Sequence, residues 1–142
     1  MLQISNNTRL LCGIALITVP TIEFGGVFLL KMLRSRDPGY VDHPLRQDLF
    51  RAGHAHAGVI LMLSLICQFL CDAVILPPPV EWFVRLGVPA AAILMPLGFF
   101  LSVASPQATR PNGLIALVYA GAVILAIAVF LLGVFLARAG VS

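Results

Sequence analysis

An all-α integral membrane four-helix bundle in up-down order is the fold class this sequence predicts, and three observations predict it. The chain of 142 residues is 60% hydrophobic and 11% charged, with a mean hydropathy of +1.01. A soluble domain carries roughly twice that share of charge. The apolar residues fall into four runs, 10–30, 50–76, 80–103 and 114–136, and about 20 mostly apolar residues suffice to cross a bilayer as a helix. The segments between the runs are too short for a soluble domain, so residues 1–142 read as a single transmembrane domain. The first run is too long for a signal-peptide core and lacks a clear small-residue cleavage site, so it reads as a retained helix.

The predicted spans are 9–33, 49–76, 80–104 and 112–138. Residues 1–8 form a polar lead-in, and Ser5-Asn6-Asn7-Thr8 offers side-chain oxygens for an N-cap. Pro20 removes an amide donor inside the first span and is expected to kink it. Glu23 is the only acid in that span, and Gly25-Gly26 thins the helix just beyond it. The 34–48 segment reads as a polar loop with a turn signal at Asp37-Pro38-Gly39. At 15 residues it is long for a helical hairpin and would cover one mouth of a site.

Pro77-Pro78-Pro79 ends the second span in a stiff, short turn. The third span carries Pro89, Pro96, Gly87 and Gly98 and is expected to bend. A short polar loop, 105–112, leads to the fourth span. There Ala116, Ala120, Gly121, Ala126 and Gly133 would allow close helix contact. Tyr119 is the one phenol well inside a span. It needs a hydrogen-bond partner when buried, and it reads either as a packed core residue or as one that points into a cavity. Cys12, Cys67 and Cys71 all lie in apolar runs and read as small apolar fillers.

The second span opens with Ala52-Gly53-His54-Ala55-His56-Ala57-Gly58. Ionisable groups inside a bilayer are costly and usually line a site. The alanines and glycines strip bulk from the helix where the imidazoles project, leaving room for a helix, a metal or a flat macrocycle. Residues two apart on a helix point about 200° apart, so His54 and His56 cannot ligate one ion from one regular helix. His54 shares a stripe with Gly58, Leu61, Leu65, Gln68 and Asp72, which should face protein or a cavity. His56 shares one with Ile60, Leu63, Cys67 and Cys71, which would face lipid, a neighbouring subunit or a bound ring.

Glu23 lies eight residues before Lys31, about 12 Å in from that end. His56 lies five residues after Arg51, about 8 Å in from the same side. A contact between the two is therefore expected, with Glu23 serving at the site or bonded to a Thr or carbonyl at the kink.

The net charge of +3 does not signal nucleic acid, because the basic residues are spread over loops and helix ends. It does report orientation. Lys31, Arg34, Arg36, Arg46, Arg51 and Arg110 fall at one end of the spans, and Arg9, Arg85 and Arg138 at the other. Positive charge accumulates in the cytoplasm. The chain is thus expected in the cell inner membrane, multi-pass, with loops 34–48 and 105–112 cytoplasmic and both termini outside. There is no phosphate-binding glycine loop, no Ser-His-Asp order and no carboxylate pair in the spans, so those enzyme classes have no support.

At Pro38-Gly39-Tyr40 and at residues 51–58 the chain resembles the styrene oxide isomerase group of small four-helix membrane proteins. That group has a Pro-Gly-Tyr in the loop after its first helix, and an Arg-Ala-His-small-Gly motif opening the second. His56-Ala57-Gly58 matches the His-small-Gly part, with His54 standing where the Arg would be. Alternatively His54 aligns after a one-residue insertion. The resemblance implies a b-type haem with that histidine as axial ligand, near a subunit interface of a trimer. It further implies ferric iron acting as a Lewis acid that rearranges an epoxide to an aldehyde. Where the group carries an Asn-Gly pair inside the second helix, this chain has Met62-Leu63.

Three readings follow. In the first, haem b is bound with His56 as axial ligand, the other iron face open or closed by His54 of another copy. Arg46 and Arg51 lie close by for propionates, Gly58 leaves room, and Tyr119 and Glu23 are the candidate catalytic groups. An open iron face makes an isomerase acting on a small apolar epoxide, with the chain a homo-oligomer, a trimer by resemblance. Two axial histidines make an electron carrier or gas sensor. In the second reading Glu23, His54, His56 and Asp72 supply ligands for a non-haem metal, although Asp72 lies about 27 Å along the helix from His54. In the third there is no cofactor, and Glu23 and a histidine serve a proton or solute pathway or a subunit of a larger complex.

Overall fold

The structure, a computed structural model, describes residues 3–141. The first two residues of the polar lead-in and the last residue of the single-domain assignment lie outside the described residues. Four long apolar helices carry the fold, each long and apolar enough to cross a membrane. They are α1 (Asn6–Arg34), α3 (Pro44–Asp72), α4 (Pro78–Ser102) and α5 (Ala116–Ala139), with a short α2 (Pro38–Val41) between the first two. Among the described residues there is no strand. The chain is therefore an all-α multi-pass membrane protein in up-down order.

The helix ends follow local chemistry. Ser5 caps α1, its Oγ accepting the Thr8 amide at 3.1 Å. Pro44 and Pro78 stand at the first position of α3 and α4, where the missing amide costs nothing. Asn112 joins two ends at once: its side chain donates to Leu101 O at 3.0 Å and accepts from the Leu114 amide at 2.8 Å. It thus occupies a free carbonyl of α4 and caps the 3-10 turn Gly113–Ile115 that leads into α5. α1 runs unbroken through Pro20, and α4 through Pro89 and Pro96.

The expected 34–48 loop is shorter than its composition suggested. α3 begins at Pro44, five residues before the predicted 49, and α2 occupies part of the remainder. α2 is held down rather than free. Gln47 Nε2 donates to the carbonyls of Tyr40 and Val41 at 3.0 and 2.8 Å, and Arg46 Nη1 donates to that of Gly39 at 2.6 Å. Tyr40 is fully buried in a cluster with Leu29, Met32, Phe50 and Val103 that closes this end of the molecule.

α4 is the central element, packing on both α3 and α5, while α1 packs mainly on α3. The α4–α5 seam uses small residues. Gly98 faces Leu117 and Val118, Gly121 faces Leu94 and Met95, and Gly87 lies against Ile124 and near the buried Ala128. Bilayer helices associate through such close backbone approach, because lipid tails offer no hydrophobic drive. Of the five small residues expected to make contact in the last span, only Gly121 is buried; Ala116, Ala120, Ala126 and Gly133 are exposed. Ile60, Cys67 and Cys71 are buried in the α3–α4 core as apolar fillers, and all three cysteines are free. The stripe carrying His56 therefore meets the core, and lipid is met by Ala55, Val59, Met62 and Ile66 instead.

Candidate functional site

The two histidines open on opposite flanks of α3. His54 turns to α1. Cβ atoms placed on Gly25 and Gly26 would lie 3.6 and 3.1 Å from its ring nitrogens, so the glycine pair is the seat of the imidazole. Any larger residue at position 26 would press on the ring. His54 makes no hydrogen bond with the described residues. It faces a cavity of about 520 Å³ floored by α3 and walled by α1 and α4. Apart from His54 the lining is apolar, save for Thr18 and Thr21.

His56 turns the other way. Its Nδ1 lies 2.7 Å from the carbonyl of Ala52, one turn earlier. A carbonyl oxygen only accepts, so Nδ1 carries the proton and Nε2 is left as the basic nitrogen. The ring leans on Phe99 of α4, centroids 5.0 Å apart, and is half-buried. Ala55 beside it is exposed, and a Cβ on Gly58 would meet nothing within 4 Å. Arg51, one turn before Ala55 on the same helix, is exposed and donates to Gln47 at 3.2 Å.

Glu23 and Tyr119 do not join either histidine within the chain. α1 presents Gly25 and Gly26 to α3, and Glu23, two positions before Gly25, is turned roughly 200° from it. Glu23 is exposed and forms no hydrogen bond or ion pair with the described residues. The expected contact with His56 is not made, and neither is a bond to a Thr or carbonyl. Tyr119 is 68% exposed on α5 and points outward rather than into a cavity.

The non-haem set does not converge either. No three His, Cys, Asp or Glu side chains among the described residues come together as a metal group. Asp72 is otherwise engaged, in a network that reading by periodicity missed. Arg85, placed among the orientation charges by the sequence, is 1% exposed. Its Nη2 reaches Asp72 at 2.6 Å, its Nε reaches Glu81 at 2.8 Å, and its Nη1 reaches Thr8 at 2.8 Å and the Gln68 side chain at 3.1 Å. The other Asp72 oxygen accepts the Ser5 amide at 2.9 Å. Three helices are thus tied at the end opposite α2. Two polar pairs spaced i,i+4, Gln68/Asp72 and Glu81/Arg85, flank the Pro77-Pro78-Pro79 turn at one level, and that symmetry was the available signal.

Comparison with known proteins finds no matching family model, curated protein or solved structure.

Proposed function

We propose that the protein is a membrane haem b protein in which His56 would hold the haem, acting on a small apolar epoxide. The observation that carries this reading is the His56 Nδ1 to Ala52 carbonyl bond of 2.7 Å. Histidines that hold metals commonly donate their second ring N–H to a carbonyl, which fixes tautomer and orientation and raises ligand basicity. The residues on the His56 side fit the group: Ala52 and Ala55 are small, Phe99 supplies an aromatic wall, and Arg51 offers a cation for propionates, while Gly58 lies on the His54 stripe. When bound, ferric haem with an open face supplies Lewis-acid character toward an epoxide oxygen.

The chain's own residues do the rest. Ala52 holds the imidazole, Phe99 limits its rotation, and the apolar flank excludes water. Glu23 and Tyr119 both face away from their own bundle, so in this reading they act only across a contact between copies, in a homo-oligomer. Such a contact would also remove an exposed carboxylate from lipid, where it costs several kcal/mol.

The test is the visible spectrum of purified protein. A Soret band typical of b haem is expected, lost in His56→Ala and kept in His54→Ala. A folded, active and colourless preparation would end this reading.

A further inference from the structure

We infer that the groove between α1 and α4 binds a long-chain acid carrying an oxygen function partway along its chain. This concerns the His54 flank of α3 and is independent of any haem at His56.

Unused donor capacity in the 520 Å³ groove is concentrated at one point, although the threonine oxygens can still accept. Both threonine hydroxyls bond to their own helix, Thr18 to Ala15 O at 2.7 Å and Thr21 to Thr18 O at 2.6 Å. His54 alone has ring nitrogens without a partner. The walls include Ile14, Leu86, Ile93 and Leu97, all partly exposed to the bilayer side, so an apolar ligand can arrive from the lipid.

A second cavity of about 310 Å³ shares Gly25 and Phe100 with the first and leads toward the α2 end, where Arg46 lines it. The Arg46 guanidinium lies 4.9 Å over the Phe50 ring and donates only to neutral carbonyls, Gly39 at 2.6 Å and Ala104 at 3.2 Å. Its Nε is buried without a partner. Asp37 approaches the same Gly39, but forms no ion pair with Arg46. A cation that forms no ion pair and whose Nε is buried without a partner, at the end of an apolar groove, is complementary to a carboxylate head.

The spacing then sets the ligand. Arg46 and His54 are eight residues apart on α3, about 12 Å along its axis. An extended chain advances roughly 1.2 Å per bond. An oxygen about ten bonds from the acid head matches that rise between the two backbone positions, and the remaining tail would run past Ile14 and Leu86.

The experiment is titration calorimetry on the full chain in maltoside micelles with three probes: stearate hydroxylated at its tenth carbon, plain stearate, and the methyl ester of the hydroxylated acid. The hydroxylated acid is expected to bind about tenfold more tightly than either of the others, the size of one net hydrogen bond. Arg46→Gln should erase the preference for acid over ester. His54→Phe should erase the preference for hydroxylated over plain acid while keeping the first preference. Each readout is a ratio within one variant, so a partial loss of folded protein cancels. Equal binding of the three probes by the unaltered chain overturns the inference. So do variants that keep both preferences, or phosphatidylglycerol binding as tightly as the hydroxylated acid.

Discussion

A methyl group on Gly98 would sit 2.7 Å from both the backbone nitrogen and a γ-carbon of Val118. A side chain can rotate away from such a contact, but a backbone atom cannot. Gly98→Ala should therefore force α4 and α5 apart and lower stability by about 1–3 kcal/mol, the usual cost of overpacking. Gly133→Ala is the control, because a Cβ there meets nothing within 4 Å. Thermal unfolding in detergent, followed by circular dichroism, should show a lower midpoint for the first and an unlowered one for the second. At this scale the sequence revealed which residues were small but not which of them faced a helix. Gly121 and Gly133 look alike in a hydropathy profile, yet the first is buried and the second exposed.

Among the elements, α1 depends on polar bonds at one end more than on its apolar face. Its contacts run chiefly to α3, and its outer residues Leu10, Leu16, Ile17 and Phe24 are exposed. The bonds from Thr8 to Gln68 O at 3.2 Å, from Arg85 to Thr8 and from the Ser5 amide to Asp72 hold its first turn. Removing one member of a buried ion pair costs about 3–5 kcal/mol, because the partner charge stays behind in a poor solvent. Arg85→Met should lose about that much, since it strands Asp72, whose side chain is buried with its partner. Thr8→Val should lose only about 1 kcal/mol, the worth of an ordinary hydrogen bond. Steric-trap unfolding can rank the two. Equal losses would mean that the guanidinium contributes no more than the hydroxyl.

The molecule as a whole has two unlike ends. One carries α2, the 103–112 loop and the cations Lys31, Arg34, Arg36 and Arg110; the other carries both termini and the Pro77-Pro78-Pro79 turn. With Arg85 buried in its ion pair, the charge contrast between the solvent-facing surfaces is sharper than the bare count. We expect the α2 end to be cytoplasmic. In a chain without its native cysteines, a cysteine at Gln107 should react with an impermeant maleimide only after lysis, and one at Pro78 in intact cells. The reverse pattern would invert the orientation.

The number and order of the four spans were legible in the sequence, although α2 and the early start of α3 were not, because in a bilayer every span must satisfy its backbone internally and so announces itself as a long apolar run. The opposed directions of His54 and His56 were legible too, since helical geometry alone sets the angle between them. Which flank of α3 meets α1 and which meets α4 came only from packing. So did the burial of Arg85, the outward turn of Glu23 and Tyr119, and the two cavities, one lined by His54 and one by Arg46, that share Gly25 and Phe100. Those depend on how helices far apart in the chain rotate about their own axes, and apolar runs of nearly uniform hydropathy carry little record of that rotation.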